Sequence, residues 1–192
     1  MIRAMTTAAL LSATLLAAGC AGLKPTPTPA DPAEARAASA AASAAVIETQ
    51  RAALSSAMAD TGVSVLRTPD GELQVNVPSD FSFGTDHAEI LPVGRPVLDS
   101  LATQLLSPMF RAMRIRIVGH TDSQGSMASN DALSLARANS VRRHLEAKGV
   151  AADRIDVLGR GEREPLVGND KAYGRALNRR VEIYLREPAA KP

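Results

Sequence analysis

The alternation of apolar and polar residues changes character several times along the chain, and each change predicts an element. Val63 and Val65, then Leu73, Val75 and Val77, recur at period two, the spacing of a half-buried strand. Pro69-Asp70-Gly71 lies between them as a turn sequence, so this stretch reads as a hairpin whose second strand Pro78 ends. From Glu89 to Leu106 the apolar positions Ile90, Val93, Val97, Leu98, Leu101 and Leu105 share one helical face. Gly94 and Pro96 sit poorly inside a helix, so its regular part is expected to begin near Pro96. Arg114 to Gly119 reads as a third strand. Ser129 then caps a helix running to about Lys148, with Gly149 as its stop. Arg154 to Gly159 forms a fourth strand and residues 170–177 a short helix. Val181, Ile183 and Leu185 alternate as a last strand before Pro188. The order β-β-α-β-α-β-α-β predicts an α/β (α+β) sandwich with helices packed on one mixed sheet.

The first sixty residues follow other rules. Ala8 to Ala18 is mainly apolar and follows a Met-Ile-Arg start, with Arg3 the one charge in residues 1–19. This is the layout of a secretory signal peptide, and it falls short of the roughly 20 apolar residues a bilayer span requires. No later segment approaches that length without charges. The single cysteine, Cys20, follows directly, and a lone thiol in a secreted chain needs a reason. Leu16-Ala17-Ala18-Gly19-Cys20 resembles a bacterial lipobox, which leaves a lipid-modified cysteine at the new N-terminus. Its departure is Ala17 where Leu usually stands, three residues before the cysteine, with Leu16 one place further back. The plain alternative is an ordinary cleavage site beside an incidental cysteine. At roughly 0.8 kcal/mol per buried methylene, several acyl chains would anchor stably. Ala21 in place of Asp favours the outer membrane by the sorting rules of such lipoproteins.

Residues 20–32 then form a Pro-rich tether of extended polyproline character. Residues 33–60 are Ala-rich and predict a helix, with Asp31 as cap and Pro32 at its first position. Its apolar face is thin: Val46, Ile47, Leu54 and Met58. Such a face can pack on the domain or on another copy of itself; the helix reads first as a spacer, and self-association through 33–60 is its second use. The globular domain is expected over 61–187, with 188–192 as a tail.

Composition narrows the function. The net charge is +2, so no large basic field points to nucleic acid. Trp is absent and Tyr and Phe number two and three, yet Leu, Ile and Val suffice for a core in the second half. No Gly-x-Ser-x-Gly elbow accompanies Ser123, Ser126 and Ser129, and Gly159-Arg160-Gly161-Glu162 lacks the ending of a phosphate loop. His120 and Asp122 share strand parity, but neither His87 nor His144 lies at the spacing of a third metal ligand. The expectation is therefore no enzyme, no metal and no cofactor, with His120 as a structural hydrogen-bonding residue.

One constellation remains. Gly119-His120-Thr121-Asp122 closes a strand, followed by Gly125-Ser126, Asn130, Leu133-Ser134 and Arg137-Ala138. Arg154-Ile155, Gly159, Gly161-Glu162, Gly174-Arg175 and Asn178-Arg179-Arg180-Val181 complete it. Asn130, Leu133, Ser134 and Arg137 lie on one helix face. An arginine beside an inward face needs an acceptor, and Asp122, in the loop leading to that helix, is the expected one. Such a pair can recognise a zwitterion, or it can simply be a salt bridge that holds the fold.

In its order and spacing this set resembles the OmpA-like C-terminal domain family, which includes peptidoglycan-associated lipoproteins. The resemblance runs over roughly residues 62–186 and takes in Phe81-Ser82-Phe83-Gly84. It implies non-covalent binding of peptidoglycan through the diaminopimelate of the stem peptide, linking the outer membrane to the cell wall from the periplasm. It also implies site residues. Asp122 and Arg137 match the family's central ligand-binding pair, Asn130 a supporting contact, and Arg179 a further basic contact. Thr85 and Asp86 add loop contacts. The alternative reading is a structural subunit of an envelope-spanning secretion or motility complex.

Overall fold

A computed structural model describes residues 31–188. The expected signal segment, Cys20, the expected tether up to residue 30 and the last four residues lie outside the described residues. The described residues open with a 26-residue helix, α1 (Pro32–Ala57), capped by the Asp31 carboxylate, which accepts from the Ala33 amide at 2.9 Å. Strands β1 (Ser64–Arg67) and β2 (Leu73–Pro78) form the expected hairpin. Then come a single turn α2 (Ser79–Ser82), helix α3 (Arg95–Leu106), strand β3 (Arg114–His120) and helix α4 (Met127–Ala147). Strand β4 (Ile155–Gly161), helix α5 (Ala172–Asn178) and strand β5 (Arg180–Arg186) complete the fold.

The sheet order is β1-β2-β5-β3-β4, with β3 and β4 parallel and every other pair antiparallel. A parallel pair needs a crossover, and α4 supplies it, packing back over β3 and β4. Val75, Ile183, Ile117 and Val157 form one cross-strand row on the face that the helices cover. Leu98, Leu101 and Leu105 of α3 and Val141 and Leu145 of α4 close over it. Each buried side chain of this size stabilises by about 1.5–3 kcal/mol.

Two glycines fix how closely α4 lies on the sheet. A Cβ on Gly119 would stand 2.0 Å from the Ser134 carbonyl oxygen, and one on Gly159 would stand 2.7 Å from the Leu135 amide nitrogen. Backbone therefore meets backbone there, which only glycine allows.

Three features differ from the sequence expectation. Helix α4 starts at Met127, because the Ser126 hydroxyl and not Ser129 is the cap; Ser126 accepts from the Ser129 amide at 3.1 Å. Both serines suit a cap, and the strand-to-helix loop selects the earlier one. The turn α2 was not expected, since four residues carry no periodicity. Helix α1, read as a spacer, buries Gln50 and Leu54, and Leu54 joins the domain core together with the C-cap residue Met58, while the first turns of the helix are exposed.

Candidate ligand pocket

The register of the sheet brings three chain segments to one edge. Pro78 of β2 pairs with Arg180 of β5, and Arg180 pairs with His120 of β3. The residues that follow β2, those that follow β3, and Arg179 just before β5 therefore converge. Between them and α4 lies a cavity of about 500 Å³. All six residues singled out from the sequence line it: Thr85, Asp86, Asp122, Asn130, Arg137 and Arg179. Asp80, Thr121 and Gln124 add polar groups, and Phe83 and Leu133 supply apolar wall.

The pairing inside the cavity departs from expectation. Arg137 does not bond Asp122. Its Nε donates to the His87 carbonyl at 3.0 Å and a terminal nitrogen to the Gly84 carbonyl at 3.1 Å. Its guanidinium also sits 5.4 Å from the centroid of the Phe83 ring. Asp122 instead accepts from Arg179 at 2.6 Å, while its other oxygen takes the Gln124 amide at 2.9 Å. The expectation failed because adjacency along the chain offered only the β3–α4 pair, whereas folding delivers an arginine from 57 residues away. Arg179 further grips Asp80 with two nitrogens at 2.6 and 2.5 Å. Asn130 donates to the Asp122 carbonyl at 3.2 Å and to the Glu162 carboxylate at 2.6 Å. Asp86 holds a left-handed φ of 57°, a conformation that Asp tolerates better than most residues.

The two arginines differ electrostatically. Burial pulls the Arg137 guanidinium below its ordinary range, and Asp80 and Asp86 oppose this only from a distance. Only 3% of Arg137 is exposed, and it has no carboxylate ion-pair partner among the described residues. Arg179 is pushed up, chiefly by its hydrogen bonds to Asp80, against the pull of burial and with help from Asp122. The Thr121 hydroxyl is buried at the cavity without a hydrogen-bond partner.

One residue before Thr121 the chain faces the other side of the sheet. His120 Nε2 lies 3.2 Å from Glu182, which also accepts from Tyr184 at 2.6 Å and Arg180 at 2.7 Å. Burial would raise the Glu182 carboxyl, but these donors outweigh it and hold the group at about 2. His120 thus serves this buried network and does not line the cavity that Asp122 lines.

Residues 82–179, just over half of the chain, match the OmpA family model. The chain belongs to the OmpA family. It is 37% identical over 139 residues to Probable lipoprotein YiaD of Escherichia coli, covering 72% of this chain and 62% of that protein. It is 40% identical over 102 residues to Peptidoglycan-binding protein ArfA of Mycobacterium bovis, covering 53% of this chain and 31% of that protein. The chain therefore matches less than two thirds of the length of these relatives. Among solved structures, it resembles the cell wall anchor of the T6SS from Pseudomonas aeruginosa with a TM-score of 0.61 and 30% identity. That likeness covers 70% of this chain and 97% of the other.

Within this OmpA-family domain, sequence reasoning missed Asp80, Thr121 and Gln124 as polar residues that line the cavity. Asp80 had a weak local signal, since Pro78-Ser79-Asp80 is a helix-start sequence. Nothing local announced that it would meet Arg179, 99 residues on.

Proposed function

We propose that this chain binds peptidoglycan non-covalently by taking the diaminopimelate of the stem peptide into the cavity. Arg137 carries the reading. A buried guanidinium bonded only to neutral carbonyls lacks a counter-charge, and a ligand carboxylate supplies one through the fork geometry of arginine. Asp122 lines the same cavity and offers acceptor capacity to an ammonium. Diaminopimelate carries an ammonium and a carboxylate on one carbon, and Phe83 and Leu133 suit its methylenes. Asn130, Arg179, Thr85 and Asp86 complete the contacts. The name of the Mycobacterium bovis relative, a peptidoglycan-binding protein, supports peptidoglycan as the target.

In this reading Cys20 carries the lipid that holds the chain in the outer membrane, residues 21–60 lead into the periplasm, and the domain grips the wall. The name of the Escherichia coli relative, a lipoprotein, supports the anchor. The protein is a mechanical link, and its site has no reaction to perform. Modest affinity per copy suffices because many anchored copies act together.

The test is sedimentation of the purified full chain, in mild detergent, with insoluble peptidoglycan sacculi. Loss of binding in both Asp122→Ala and Arg137→Ala, with unchanged circular dichroism, is expected. No sedimentation of the unmodified chain overturns the reading.

The likeness to the T6SS cell wall anchor favours a second reading, in which the chain grips the wall as a subunit of an envelope-spanning secretion or motility complex. The exposed first turns of α1 would then mediate assembly. Concentration-dependent self-association that requires residues 33–60 would support it, and a strictly monomeric chain would not.

A further inference from the structure

Arg179 is held at three points by two carboxylates, and the two attachments are unequal. Asp80 receives two parallel bonds at 2.6 and 2.5 Å, the side-on fork that arginine makes best. Asp122 receives a single bond at 2.6 Å. The main chain reinforces the Asp80 side, where the Ser79 amide donates to the Arg179 carbonyl at 2.9 Å. With Gln124 on the other oxygen of Asp122, an arriving ammonium meets a carboxylate that already holds a cation.

We propose that Asp80 is a positioning and specificity-determining residue, whose two-point grip retains Arg179 while the single bond to Asp122 is yielded to the ammonium of the ligand. This rests on the peptidoglycan-binding reading of the cavity and adds to it a residue that reading does not use. Without Asp80, Arg179 keeps one carboxylate partner, Asp122, and competes with the ammonium for it. Asp80 also sets the charge of the cavity: three carboxylates (Asp80, Asp86, Asp122) against two guanidiniums leave a net −1. That balance disfavours a plain carboxylate and admits a ligand bearing its own ammonium. Asp80→Asn makes the balance even and removes this discrimination.

Calorimetric titration of the full chain with meso-diaminopimelate and with pimelate, the same carbon skeleton without ammonium groups, tests the proposal. Asp80→Asn is expected to weaken diaminopimelate about tenfold and to leave pimelate unchanged or tighter, a coupling of ordinary size for groups in one ion-pair network. Asp80→Glu keeps the charge and is expected to keep the preference. In an Arg179→Gln background, Asp80→Asn should no longer affect diaminopimelate, because no competing cation remains. Equal weakening of both ligands, no weakening of diaminopimelate, or an undiminished effect in the Arg179→Gln background overturns the role of Asp80 alone. Failure of the unmodified chain to bind diaminopimelate or sacculi overturns the cavity reading, and the role of Asp80 with it.

Discussion

Arg137 and Gly84 meet through a guanidinium-to-carbonyl hydrogen bond of 3.1 Å that spans 53 residues of chain. It ties the loop after α2 to the middle of α4 and leaves a buried positive charge at the cavity wall. Truncating one partner of a buried charged contact costs about 2–5 kcal/mol in binding. Arg137→Ala should therefore weaken sacculus binding by thirtyfold or more, on the order of that range. Arg137→Lys retains the charge without the fork and should fall between the two, as quantitative sedimentation would show. Equal binding by all three chains would remove Arg137 from the site.

Glu182 predicts an acid limit to stability. Its carboxyl is held at about 2 in the folded chain against an ordinary 4.5. A depressed pKa contributes stability that is present above the unfolded value and is lost as pH falls through the folded one. The window is therefore about pH 4.5 down to about 2, and the contribution above it is about 3 kcal/mol. Denaturant unfolding across that range should show the decline. Glu182→Gln should flatten it while lowering stability at neutral pH.

Gly119→Ala sets a methyl group against the Ser134 carbonyl, where a Cβ has 2.0 Å of room. Overpacking of this kind costs about 1–3 kcal/mol or more. Because α4 also carries Asn130 and Arg137, lifting it should reduce sacculus binding along with the denaturation midpoint. A neutral effect on both would mean that α4 seats less closely than described.

Asn178 is fully buried and makes four hydrogen bonds, taking the amides of Leu166 and Val167 and donating to the Val167 carbonyl and the Asn169 side chain. Its partners lie in an exposed segment where water can replace the bonds, so removing it forfeits about 0.5–1.5 kcal/mol per bond. Asn178→Ala should speed amide exchange in residues 165–169 before it affects the rest of the domain. Uniform acceleration across the sheet would contradict a local role.

Leu54 tests where the folded unit begins. It is fully buried against the domain core although it belongs to the Ala-rich helix. Leu54→Ala should cost about 2–5 kcal/mol, the range for a core leucine, whereas the exposed Val46→Ala should cost little. Equal thermal midpoints for the two variants would return α1 to the status of a spacer.

Much of this protein was legible in its sequence because much of it is local. Period-two alternation at Val75 and Val77, and at Ile183 and Leu185, identifies the strands and their inward faces, since a strand has only two faces to choose between. Helix α3, with Pro96 in its first turn, and the stop of α4 at Gly149 follow from backbone chemistry within a few residues. The spaced set from Gly119 to Arg180 points to the family and to four of the cavity's residues, and the stretch after Phe83-Gly84 adds Thr85 and Asp86. The partner of each charge was a different matter. Which carboxylate meets which guanidinium depends on strand order and register, here β2 beside β5 beside β3, and these are set by burial across the whole sheet. Only that arrangement gave Arg179 rather than Arg137 to Asp122, brought Asp80 to Arg179, and left Arg137 buried with neutral partners. Local pattern alone carries the main strands and helices, their inward faces and the residue types of the site, though not the short turn α2. The tertiary structure decided the pairing of charges, because electrostatic contacts at 3 Å are made by segments 50–100 residues apart, whose meeting no local pattern encodes.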